Sequence, residues 1–224
     1  MYNTISNSID TVNERMKRVY LNMTLAVTTS MLVSYFVGNS AALMAFFFTG
    51  AMAWVTILAP LAFIFIVPIL FNSGIGYAGK QLVLHTFAAV MGLSMATVFA
   101  VYTQLSIVQG FLGAAVLFLS LTLYGYTTKK DLTSWGTFLF VGLGAIIIVS
   151  LINIFLLQSS VLATAISAAA ILIFLGLTAY DTQKIKEQLA YDTDGTAEVS
   201  GALTLYLDFI NLFINLVQLF GQRK

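Results

Sequence analysis

The 224-residue chain contains no cysteine, so disulfides, thiolate metal centres and cysteine nucleophiles are all excluded. Charge is nearly as scarce: ten Lys and Arg and nine Asp and Glu make up 8% of the residues, against about a quarter in a soluble domain. The single histidine, His85, narrows metal chemistry further. A net charge of +1 offers no electrostatic footprint for a nucleic acid or for a polybasic lipid-binding patch. Only two prolines occur, Pro60 and Pro68, and both fall in one apolar block.

What remains is hydrophobic: 59% of the residues, with a mean hydropathy of +0.94. The charges gather in short clusters that cut the chain into apolar blocks of roughly 20 residues, the length of helix that crosses ~30 Å of hydrocarbon. Unbroken runs such as Ala165 to Ala179 do not alternate as barrel strands do. An all-α, polytopic membrane protein is therefore expected, with the lipid bilayer as its principal partner. Seven spans are placed at Val19–Val37, Met52–Phe71, Leu82–Tyr102, Ile107–Tyr126, Trp135–Leu157, Val161–Tyr180 and Ala202–Phe220. Residues 1–18 read as a cytoplasmic tail and 19–224 as one seven-helix domain. The prolines predict a kinked second span. Ala41 to Gly50 reads as an interfacial or re-entrant piece that breaks at Gly50.

Basic residues sort by side. Arg15, Lys17, Arg18, Lys80, Lys129, Lys130, Lys184 and Lys186 precede the odd-numbered spans, and the alternate loops hold none, which places the N-terminus in the cytoplasm. Arg223 and Lys224 disagree, and a full seventh crossing puts them outside. Small residues that let helices approach are Gly110 with Ala114, Gly142 with Gly144, and Ala165 with Ala169. Thr182 to Gly201 reads as a long charged loop, its Asp192, Asp194 and Glu198 lacking the order of an EF-hand.

On the last span Thr204, Asp208, Asn211, Asn215 and Gln218 recur at steps of three and four, which lines them along one face. The sixth span carries Thr164, Ser167, Thr178 and Asp181 at similar steps and is expected to end at that acid. Packed together, the stripes form a polar seam, with Thr178, Thr204, Asn211, Asn215 and Gln218 as its lining. Ionised side chains in hydrocarbon are expensive and usually functional. Two carboxylates close together in low dielectric do not both ionise cheaply, so Asp181 and Asp208 are expected to share a proton and act as a pH sensor. Bound, the proton ties the helices; released, repulsion favours separation or entry of a cation. His85, Trp54, Trp135, Ser150, Asn153, Asn22, Thr24, Thr28 and Ser34 read as packing, interfacial or interhelical hydrogen-bonding residues.

Ala179-Tyr-Asp-Thr-Gln-Lys-Ile-Lys186 and Gly201-Ala-Leu-Thr-Leu-Tyr-Leu-Asp-Phe-Ile-Asn-Leu-Phe213 resemble the two signature segments of the transmembrane Bax inhibitor motif family, in particular its bacterial inner-membrane members. Met91-Gly-Leu-Ser94 and Leu123-Tyr-Gly-Tyr-Thr-Thr-Lys-Lys-Asp131 match as well. The resemblance implies a seven-helix bundle with the C-terminal helix central, and a pH-sensitive calcium leak in which Asp181 and Asp208 are the sensing pair. It maps no basic latch residue here; Lys80 and His85 are the only basic residues near the third span. Calcium, a hard cation, prefers oxygen ligands, and the two carboxylates with Asn211, Asn215 and water would supply several. The same seam would equally pass protons or sodium, or simply hold the helices together through polar contacts. No catalytic residue and no resident cofactor are expected. An intramembrane aspartyl protease also needs two buried acids, but Gly-x-Gly-Asp is missing before Asp208. A non-catalytic regulator bound to other membrane proteins, such as a quality-control protease, is the remaining alternative.

Overall fold

The computed structural model describes residues 2–224, with side chains from residue 11 onward. Nine helices occur among the described residues: α1 (Tyr2–Gly38), α2 (Ala41–Phe48), α3 (Gly50–Phe71), α4 (Tyr77–Ser94), α5 (Ala96–Val101), α6 (Gln104–Thr127), α7 (Thr133–Ile152), α8 (Ser160–Leu189) and α9 (Thr196–Phe220). Counting α4 with α5 as one span, and extending α7 through the π turn Asn153–Leu157, seven segments are long and apolar enough to cross a membrane. The protein is thus an all-α, seven-span membrane protein.

Several boundaries differ from the sequence expectation. The segment read as a tail is helical and continuous with the first span, and its Arg15 and Met16 are buried. Both prolines fall inside α3, the second span, as the sequence places them. The third span pauses at Met95, between α4 and α5. The long loop does not exist: α8 runs on to Leu189 and α9 begins at Thr196. Hydrophobicity falls off after Tyr180, but helix propensity does not, since Gln183, Lys184, Ile185, Lys186 and Glu187 are good or neutral helix formers. The expected break at Gly50 is present, with a left-handed φ of 59° between α2 and α3.

The chain divides into two compact units. The first comprises the chain up to Tyr102, Gln188–Tyr206 and Lys224. There α1 packs on α4 so closely that a Cβ on Gly92 would lie 2.5 Å from the Ser30 carbonyl oxygen. The Ser30 hydroxyl donates to the Ala88 carbonyl at 2.7 Å and lies 2.6 Å from the Tyr206 hydroxyl, so the first half of α9 is tied into this unit. Asn22 and Gln81 join α1 to α4 in the same way, and His85 sits 3.4 Å from Thr29 Oγ1.

The second unit comprises Thr103–Glu187 and Leu207–Arg223. It buries the second half of α9: Ile210, Leu212 and Phe213 are fully enclosed. Of the small-residue pairs, Gly110 abuts Val217 and Ala114 is buried, and Gly142 meets Ile173, whereas Gly144 faces open space. Ala165 and Ala169 are exposed, because α8 turns Ser167 and Ala170 inward instead. The Asn153 side-chain amide holds both the Ser159 N–H and carbonyl, closing the turn into α8.

Candidate functional site

In the second unit α8 delivers Asp181 from its interior, not from its end as the sequence suggested, with Thr182 to Leu189 still helical beyond it. Gly125 of α6 makes that placement: a Cβ there would collide with the Ala179 carbonyl, so only glycine lets α6 lie against the backbone two residues before the acid. Asp208 is set by its neighbour Phe209, whose ring packs edge-on against Phe111 and Phe118 of α6 at 5.4 and 5.7 Å between centroids. Both acids are buried, Asp181 at 7% and Asp208 at 4% exposure.

The two carboxyl groups lie within hydrogen-bonding reach of each other. Asp208 Oδ2 is buried and meets no donor among the described residues. Lys184, one turn along α8 from Asp181, holds its amine over the Tyr180 ring at 5.5 Å. Two acceptors facing each other bond only if a proton stands between them. Chemically, the arrangement can hold and release one proton in a low-dielectric setting where, among the described residues, no basic side chain is ion-paired to either acid.

The remaining stripe residues are less connected than the sequence suggested. Thr178, Thr204, Asn211 and Asn215 each donate to the carbonyl four residues earlier on their own helix, at 2.7, 3.1, 2.8 and 2.8 Å. Only Gln218 crosses to the other stripe, accepting from the Ser167 hydroxyl at 3.1 Å, and Thr164 points outward. Helical periodicity places these side chains on one face but does not say whether an amide bonds across or folds back. Among the described residues, no three acidic, histidine or cysteine side chains are arranged to hold a metal ion.

Sequence reasoning missed a second charged site, in the first unit. Arg15 donates to Glu198 Oε1 at 2.7 Å, to the Leu189 and Asp192 carbonyls at 2.8 and 2.6 Å, and to the Asp192 carboxylate. Arg18 forks onto Glu198 at 2.9 and 3.0 Å. The buried Lys80 amine donates to Asp194 Oδ2 at 2.8 Å and to the Thr196 hydroxyl. Lys80 and its hydroxyl and amide neighbours hold the Asp194 carboxyl well below the usual carboxylate range. The acids read as a solvated loop are thus bound by arginine and lysine. Their signal was the i, i+3 spacing of Arg15 and Arg18, which becomes a shared face once the tail is helical. A cavity of about 320 Å³ opens beside Lys80 and Asp194, walled by Phe71, Asn72 and Ile75.

A family model described as inhibitor of apoptosis-promoting Bax1 matches residues 12–224. The chain is 39% identical to inner membrane protein YbhL of Escherichia coli K12 over 216 residues, 93% of this chain and 92% of that one. It is 36% identical to an uncharacterized protein of Borreliella burgdorferi over 218 residues, 95% and 93% of the two chains. Over 150 residues, 64% of this chain and 62% of the other, it is 43% identical to the uncharacterized protein RP147 of Rickettsia prowazekii.

Proposed function

Since the chain belongs to the family of inhibitors of apoptosis-promoting Bax1, a family of membrane proteins, we propose that it is a pH-sensitive, calcium-permeable leak gated by Asp181 and Asp208. It lies in a bacterial inner membrane, as its Escherichia coli relative's name states for that protein, with its N-terminus in the cytoplasm on the positive-inside distribution of lysine and arginine. The observation that carries the reading is the acid pair itself: two buried carboxyls within bonding reach, with no lysine, arginine or histidine ion-paired to either among the described residues. With one proton the pair binds α8 to α9; without it two negative charges repel or draw in a cation.

Phe209 and Phe213, on the same helix as Asp208, pack edge to face with Phe111, and Phe209 likewise with Phe118, as one aromatic layer. Hydrophobic constrictions close pores by dewetting, so this layer serves as the shut gate and loss of the shared proton as the trigger. Calcium is the cargo, met by carboxylate oxygens and, once α8 and α9 part, by Asn211 and Asn215. No covalent step is assigned to either acid.

Calcium flux into proteoliposomes across about pH 5 to 8 tests the proposal, comparing the parent with Asp181→Asn and Asp208→Asn. A pH-dependent flux in the parent, flattened in both variants, is expected. Equal flux at every pH in all three rejects the gate. Capture of a membrane-protein partner that both variants retain, with no flux, favours the scaffold reading.

A further inference from the structure

Threonine in a buried helix usually returns its hydroxyl to the carbonyl four residues earlier. Thr127, Thr164, Thr178 and Thr182 of the second unit all do so, at 2.7 to 3.0 Å. Thr122 of α6 does not. It is 7% exposed, its Oγ1 is fully buried, and it has no hydrogen-bond partner among the described residues. Buried polar atoms almost always find a partner, so each exception needs a reason. The second unit contains one other such atom among its described residues, Asp208 Oδ2.

The face of α6 that carries Thr122 is fixed by its neighbours. Phe118, Thr122 and Gly125 are spaced i, i+4 and i+7, along one side of the helix. Phe118 meets Phe209, next in sequence to Asp208. Gly125 meets the carbonyl of Ala179, two residues before Asp181. Thr122 therefore stands on α6 between the level of one acid and the level of the other. An orphaned donor on α6 and an orphaned acceptor on α9 are thus both buried in the second unit.

We propose that Thr122 is the third member of the acid site, its hydroxyl donating to Asp208 Oδ2 through one bridging water and so orienting that carboxyl toward Asp181. The assignment deepens, and rests on, the reading of the pair as the proton-exchanging gate. Thr122 is a positioning residue: it holds one oxygen of Asp208, leaving the other for the shared proton. Valine at this position keeps the shape and deletes the donor, whereas serine keeps the donor.

A double-mutant cycle on thermal unfolding of the full chain in lipid nanodiscs tests this. Thr122→Val is expected to lower the melting temperature by about 2–4 °C in the parent. In an Asp208→Leu background it should change nothing, because the acceptor is gone. Thr122→Ser should recover most of the parental value, and Thr122→Ala with Asp208→Ala repeats the cycle if a bulkier variant fails to fold. Equal losses in both backgrounds overturn the assignment, and so does a serine variant as unstable as the valine one. Calcium flux from the same preparations separates the two ideas. Non-additivity without pH-dependent flux leaves Thr122 in place and removes the gate; pH-dependent flux with additive losses does the reverse.

Discussion

The same residue type is used in opposite ways in the two units. In the first, Asp192, Asp194 and Glu198 are each matched to an arginine or lysine, and Arg15 satisfies two backbone carbonyls besides. In the second, Asp181 and Asp208 are matched to each other. Opposite charges with satisfied hydrogen bonds make a fixed joint; like charges with a shared proton make an arrangement with two states. On the proposed reading, one region stays put and the other changes with proton activity.

Breaking the joint should cost most. Arg15→Ala leaves Glu198 and Asp192 without their buried partner, and loss of one member of a buried ion pair costs about 3–5 kcal/mol. A large fall in melting temperature, with Arg18→Ala milder because its side chain is half exposed, is the expected result. Gly125→Ala comes next: the new methyl meets the Ala179 carbonyl, and overpacking costs about 1–3 kcal/mol. It should also disturb the acid pair, read as a displaced pH midpoint of flux.

Substituting the acids should have the opposite sign. Asp208→Asn removes a repulsion, so at high pH the variant is expected to melt above the parent, by an amount on the order of 1 kcal/mol, and to lose the pH dependence of flux. A destabilised Asp208→Asn would mean that the pair is a structural joint like the first. The smallest effect is at Asp194. Its carboxyl is held below the usual range by Lys80, so its contribution is present above the ordinary aspartate pKa and lost as pH falls through the depressed one. Asp194→Asn should therefore reduce thermal stability at neutral pH and make no difference in strong acid, as scanning calorimetry at the two conditions would read.

The spans were legible because their signal is composition over some 20 residues, which local detail does not disturb. The acids were legible because an ionised group among Leu, Phe and Ile stands out. Asp181 was misplaced at a helix end because hydropathy drops after Tyr180, and hydropathy reports the edge of the apolar layer, not the end of the helix. Arg15, Lys80 and Glu198 were overlooked because each looks like an ordinary flanking charge, and their matching depends on a helix that starts before the membrane does. Thr122 was invisible for a simpler reason. A threonine in a span usually bonds its own backbone, and only coordinates reveal a buried one left without a partner.

The chain's lack of cysteine makes the most direct test simple, since paired spin labels at Leu172 of α8 and Phe220 of α9 need no other substitution. Both sites are exposed, at 69% and 73%. The distance between them, measured by pulsed electron resonance in nanodiscs, should lengthen as pH rises in the parent and stay constant in Asp181→Asn and Asp208→Asn. A parental distance unchanged from acid to alkaline pH would contradict a proton-operated movement of these two helices.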